Sequence, residues 1–352
     1  MAEGVVETLI DMILIGSEER QNKDEIVKYA SDWLKDLGME VDIVGDKRCP
    51  AICAYNGFRG VALSGHLDTV PIGDRWTKDQ GEMSEGRVFG RGSADMKGGC
   101  AAMLHAAKAL MADDLDCYLL FTTDEEDLMT GANALIRTHG AKNARAIVIG
   151  EPTNMRPVYK EKGVARVGLK AYGKASHASM PWLGENAIMT MSRLLDKLGA
   201  LNAEGREAAE GLTMNATTIK GGDMYNVIPD ECEVDLDVRF PATMSPHEVF
   251  SSILATLKGE DCELALLHEF PAFETDPESA LVKVATAYLK QEPVAVPYAT
   301  EAAVFAKVNP NILICGPGDT DVAHTADEFV EMAQLDQAVQ LYLHLAKTLV
   351  QG

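Results

Sequence analysis

Four short apolar runs in this chain, 60–64, 115–122, 146–149 and 312–315, each give way within a few residues to an imidazole or a carboxylate. Apolar runs of this length, bounded by turn residues, read as buried strands. Strands that alternate with helical patterns predict an α/β layer with a mixed, mainly parallel sheet, and such sheets place their sites beyond the carboxyl ends of the strands. The residues found there are His66 and Asp68 in SGHLDTVP, the acids 124–127 in TTDEED, Glu151 in GEPT and His324 in GPGDTDVAHTADEF. A further acid, Asp95, lies in a Gly-rich turn, GRGSADMKGG, ahead of a helical stretch. That turn has neither GxGxxG nor GxxxxGK[ST] spacing, which argues against a phosphate loop.

His66 and Asp68 are two residues apart and so share one face of a strand. A carboxylate that engages one imidazole nitrogen leaves the other for a metal. Alone, the pair also reads as a core histidine beside a turn-capping aspartate, and four consecutive acids also read as a solvated helix start. Together, two imidazoles and several carboxylates gathered at strand ends form a donor set for a pair of divalent ions of the Zn²⁺, Mn²⁺ or Co²⁺ kind. Such a pair can bind and activate a water, and one further carboxylate that binds no metal is then needed as general base.

The 352 residues suffice for two domains. Residues 5–37 carry a helical stripe, and 98–112, 131–138, 277–291 and 334–349 read as further helices. After Glu151 the texture changes. Segments 163–172, 213–219 and 231–239 alternate apolar with polar residues, 263–267 is a further short strand, and 186–198 and 246–257 are helical. This pattern predicts a small α+β domain. The expected organisation is a discontinuous catalytic domain, 1–160 and 275–352, with an inserted domain at 161–274.

A formal net charge of −22 argues against nucleic acid and anionic membrane surfaces as partners. The first residues lack a basic n-region and a small-residue cleavage site, so they read as an amphipathic helix, which points to the cytoplasm. The seven cysteines are scattered, and most lie in apolar runs, as buried thiols do in a reducing compartment.

The ordered series SGHLDTVP, GRGSADMKGG, TTDEED, GEPT and AHTADE closely resembles the M20 metallopeptidase and deacylase family across nearly the whole chain. The resemblance implies two divalent ions, zinc foremost with cobalt or manganese as alternatives. His66, Asp95 and Glu151 would hold one ion, Asp95 would bridge, and Glu126 and His324 would complete the second. It assigns Asp68 to orienting His66 and Glu125 to the role of general base and acid, and it implies a cis peptide after Asp95. The inserted domain then corresponds to a ferredoxin-like lid and dimerisation domain. Within it, GKASHASMPWLGENAI resembles the lid motif whose histidine, here His177, stabilises the transition state, from the neighbouring subunit in dimeric members. Asn226 and Arg239 become candidate substrate contacts. Arg239 is either a carboxylate clamp or the partner of a nearby aspartate, Asp235 or Asp237.

The segment PYATEAAVF, with Thr300 and Glu301, resembles the branch of the family that deacetylates N-acetyl-ornithine. The desuccinylase branch typically carries an arginine in this region, whereas none occurs between Tyr298 and His324. A carboxylate at Glu301 would favour a cationic substrate side chain. The resemblance thus implies a metal-dependent amide hydrolase that removes an acetyl group from a small N-acyl amino acid such as N-acetyl-L-ornithine, working as a homodimer through the lid. The alternatives are a desuccinylase, an aminoacylase, a dipeptidase or a carboxypeptidase. Outside catalysis, the alternative is a silent metal-holding protein, against which the presence of both Glu125 and His177 counts.

Overall fold

The computed structural model describes residues 2–18, 22–203 and 210–351. The chain divides into two compact units. One comprises Met1–Tyr159, Glu274–Ala295 and Thr300–Gly352, and the other Lys160–Phe273 with Val296–Ala299.

The first unit is built on a nine-stranded sheet. From one edge its strands run Glu40–Asp46, Cys49–Asn56, Cys117–Thr122, Val61–His66, Ile147–Pro152 and Ile312–Gly316. The last four are parallel to one another, while Cys49–Asn56 pairs antiparallel with both Glu40–Asp46 and Cys117–Thr122. Every residue of Val61–His66, Cys117–Thr122, Ile147–Pro152 and Ile312–Gly316 is buried. This explains why these segments read as continuous apolar runs: covered parallel strands have no face to give to water. The core above them comes from the helices Lys97–Ala112 and Met332–Gln351, through Cys100, Met103, Leu104, Leu335, Tyr342 and Leu345. Four consecutive parallel strands therefore end together, and the chain leaves each of those ends in a polar loop.

The helical stripe expected over 5–37 is two helices, Ala2–Leu14 and Asp24–Asp36. Residues 19–21 of that stretch lie outside the described residues. Between the helices the chain is tied to the strand-end loop after His66. The Ser17 hydroxyl donates to the Leu67 carbonyl at 2.7 Å, and the Thr69 amide donates to the Ser17 carbonyl at 3.1 Å. The polar run after Gly16 thus marks a break that the apolar periodicity on either side conceals. Among the described residues no helix is long and apolar enough to cross a membrane.

The second unit has a four-stranded antiparallel sheet in the order Thr213–Gly221, Glu231–Phe240, Gly163–Tyr172, Cys262–Phe270. Numbered along the chain this order is 2-3-1-4, the ferredoxin-like arrangement. Glu231–Phe240 buries every second residue, Cys232, Val234, Leu236, Val238 and Phe240. They pack with Met191 and Leu194 of helix Ala187–Gly199 and with Val249 and Ile253 of helix Pro246–Thr256. The alternation seen in the sequence is that of a sheet with one face covered by two helices.

Candidate active site

The strand register sets the site. His66 is the last residue of its strand, opposite Thr122 of the neighbour that runs on into Glu125 and Glu126. On the other side Ser64 stands opposite Ile149, two residues before Glu151. Asp95 is brought in from the turn before helix Lys97–Ala112, whose glycines allow close approach. A Cβ on Gly99 would stand 2.3 Å from the carbonyl oxygen of Gly150. The Asp95–Met96 peptide is cis.

Two groups of possible ligands result, His66, Asp95, Glu151 and Asp95, Glu126, His324, with the atoms of each within 4.8 Å of one another. Asp95 belongs to both. Its Oδ1 is 3.1 Å from His66 Nε2, and its Oδ2 is 3.1 Å from His324 Nε2. Glu126 Oε1 lies 2.9 Å from His324 Nε2, and Glu151 Oε1 lies 3.7 Å from His66 Nε2. His324 adopts a left-handed backbone conformation, φ +61°, which is uncommon for a residue with a side chain.

The electrostatics are those of an anionic cage with imidazolium in it. Burial opposes a charge on His66, yet Glu151, Asp95 and Asp68 hold its pKa well above the ordinary value. Hydrogen bonds that its ring gives to Asp95 and Glu126 raise His324 to about 10. Burial likewise opposes the charge on Asp95, but His324 and His66 keep its carboxyl well below the usual range. Burial raises Glu151 and Glu125 well above the carboxylate range, with neighbouring acids adding to the effect. The donor set fits divalent cations. Imidazole and carboxylate are the ligand types of zinc, manganese and cobalt, and Glu151 Oε1 is buried without a hydrogen-bond partner beside His66.

Of the four acids 124–127, two face the cluster. Asp124 instead accepts from the amides of Thr130 at 2.6 Å and Gly131 at 2.8 Å, capping helix Thr130–Leu135. Asp127 is exposed. Glu125, at the strand end between them, feels the charges of His66, Glu126, Asp95 and Asp68.

Several expectations need correction. Asp68 orients His66 through its main chain: His66 Nδ1 donates to the Asp68 carbonyl oxygen at 2.9 Å, while the Asp68 carboxylate is 3.7 Å away. Its Oδ2 accepts from the Glu126 amide at 3.2 Å, so the side chain steadies a second candidate ligand. Glu301 does not line a substrate surface. It has 0% exposure, and its oxygens meet the hydroxyls of Ser64 and, at 2.9 Å, Thr122. Thr300 is also buried, and its Oγ1 accepts from the Ala302 amide at 3.1 Å. Arg239 donates from Nε to Asp237 Oδ1 at 2.7 Å and from Nη2 to Oδ2 at 3.1 Å. Of the two readings left open for Arg239, the aspartate partner is the one the geometry matches: its fork is taken by Asp237, two residues away on the same strand.

In the second unit His177 and Asn226 come together through a short pairing, with His177 opposite Val227 and the Ala178 amide donating to the Asn226 carbonyl at 2.9 Å. His177 Nδ1 accepts from the Ser179 amide at 3.2 Å. In the neutral ring the proton therefore sits on Nε2, making that atom a donor.

Arg91 and Glu328 escaped the sequence reading although both lie within its motifs. The one available signal was a second acid directly after Asp327.

Fold and site together define a class: an α/β protein with paired strand-end ligand groups that suit two divalent metal ions. Peptidase family M20/M25/M40 matches residues 62–348. An acetylornithine deacetylase of Erwinia tasmaniensis is 33% identical over 337 residues, covering 89% of this chain and 88% of that one. A tripeptidase of Staphylococcus aureus superposes with a TM-score of 0.83 at 19% identity, covering 100% and 99% of the two chains. A dinuclear metal-binding peptidase of the M20 family from Bacillus subtilis does so with 0.77 at 17%, covering 99% and 98%. The chain belongs to peptidase family M20/M25/M40, and it is a metal-dependent amide hydrolase.

Proposed function

We propose that the protein removes the acetyl group from N-acetyl-L-ornithine or a close N-acetyl amino acid. The observation that carries the chemistry is the position of Glu125, adjacent in sequence to Glu126 and close to two ligand groups that share Asp95. The substrate rests on the 33% identity to an acetylornithine deacetylase, and no longer on Glu301.

In this reading His66, Asp95 and Glu151 hold one divalent ion and Asp95, Glu126 and His324 the other, with zinc the expected metal. Ions bound there would polarise the amide carbonyl and acidify a water. Glu125 takes a proton from the attacking water as the water's oxygen bonds to the carbonyl carbon. The C–N bond then breaks, and Glu125 delivers the proton to the departing amine, giving acetate and the free amino acid. A carboxyl raised by burial is suited to both halves of this exchange. His177 Nε2–H donates to the carbonyl oxygen as it gains charge, and Asn226 contacts the substrate. The second unit acts as a lid and as the seat of a homodimer. Thr213–Gly221 is an edge strand, with Ile219 60% exposed and Tyr225 of the following loop 97% exposed.

The test is amine release by zinc-reloaded protein from N-acetyl-L-ornithine, N-succinyl-diaminopimelate and an unblocked dipeptide in parallel. Turnover of the acetylated substrate alone is expected. Turnover of only one of the others would keep the hydrolase and overturn the substrate.

A further inference from the structure

Arg91 and Glu328 lie in GRGSADMKGG and AHTADEF, the motifs that carry Asp95 and His324. Both are out of solvent, with Arg91 5% and Glu328 0% exposed. Glu328 Oε2 accepts from Arg91 Nη1. Its Oε1 accepts from the amides of Ala94 at 3.0 Å and Asp95 at 3.1 Å. Arg91 is held in turn by the carbonyls of Pro71 at 3.3 Å and Ile72 at 3.4 Å, with its guanidinium 5.4 Å from the Trp76 ring centroid. Every one of these contacts to the Glu328 carboxylate comes from a donor.

A buried ion pair is a poor source of stability, because desolvation consumes most of the attraction. This one has a different product. Its carboxylate grips the backbone of a residue whose side chain must reach two imidazoles at once, each at 3.1 Å. Glu328 follows His324 by four residues, so the same grip sets the His324 segment against the Asp95 turn. That segment is fastened a second time by Asp327, whose Oδ1 accepts from the amides of Thr77 at 2.7 Å and Lys78 at 3.0 Å. We infer that Arg91 and Glu328 are a positioning pair that holds Asp95 where one carboxylate serves both ligand groups. The inference rests on the metal-site reading above.

Zinc titration of metal-stripped protein by calorimetry tests it, with circular dichroism and melting of the stripped protein as the check on folding. The variants are Glu328→Asp, which keeps the charge but withdraws it from the amides, and Arg91→Met/Glu328→Met, which removes the acceptor and leaves no unpaired buried charge. The parent is expected to bind two zinc ions per chain. Both variants should fold and bind zinc about 10- to 100-fold more weakly. At saturating zinc their kcat should fall while KM holds. Folded variants that bind two ions with the parent's affinity would overturn the inference and leave the metal centre standing. A double variant that does not fold would make the pair a brace of the whole unit and overturn it too. A parent that binds no zinc would remove the metal centre and this role together.

Discussion

The Ser64 hydroxyl donates to the Leu120 carbonyl at 3.0 Å. Ser64 also donates to Glu301, and Thr122 donates to the other oxygen of that carboxyl. Burial pushes the Glu301 pKa from 4.5 up to about 7 against these hydrogen bonds, which favour the charged form. The native state then keeps a proton that the unfolded chain loses above its own pKa. The stabilisation is complete below pH 4.5 and fades as pH rises through about 7, for a total of about 3 kcal/mol. Glu301→Gln can donate to Ser64 and accept from Thr122 without titrating. Urea unfolding of stripped protein from pH 4 to 8 should show the variant gaining about 3 kcal/mol relative to the parent across that window. A difference that stays flat would mean a charged Glu301. Selectivity among substrates should not change. The misplacement of Glu301 has a physical reason. A motif fixes which residue follows which, but the direction of a carboxylate depends on what stands across the fold, here two strand hydroxyls some 180 and 240 positions away in the chain. The strand-end residues were legible because burial writes itself as an apolar run. Main-chain partners such as the Asp68 carbonyl or the Asp95 amide have no letter in the sequence.

At the scale of elements, the site is a consequence of four parallel strands ending together and one helix pressed against them. The strands were legible to within two or three residues. The role of the glycines in ADMKGG was not, since a Gly-rich turn has many readings and close packing is visible only once the neighbour is known. Gly99 faces the Gly150 carbonyl, so Gly99→Ala must push helix Lys97–Ala112 away from strand Ile147–Pro152. That movement separates Asp95 from Glu151. Thermal unfolding should register a loss of about 1–3 kcal/mol, and zinc should stabilise the variant less than it does the parent. Gly199→Ala is the control. It ends helix Ala187–Gly199 with nothing within 4 Å of its added methyl group, and it should leave the melting temperature unchanged or raise it. Equal behaviour of the two variants would remove the packing argument.

At the scale of the whole molecule, the role proposed for His177 can be served from its own chain or from a second copy. The edge strand of the second unit and the exposed side chains of Ile219 and Tyr225 favour association of two copies through that unit. Separately, Glu125→Ala should lose about 100- to 10,000-fold in rate, and His177→Ala about 100- to 1,000-fold. Mixed in equal amounts and allowed to exchange subunits, half of the dimers contain one chain of each kind. If His177 serves the partner's site, each mixed dimer has one complete site, built from the Glu125 of one chain and the His177 of the other. The mixture should then recover about a quarter of the parent's activity. If His177 serves its own chain, no combination is complete and the mixture stays as inactive as its components. Recovery also reports on association, because it requires dimers that exchange. Silence in the assay together with a dimeric mass by light scattering and proven exchange of labelled subunits would place His177 in its own chain's site.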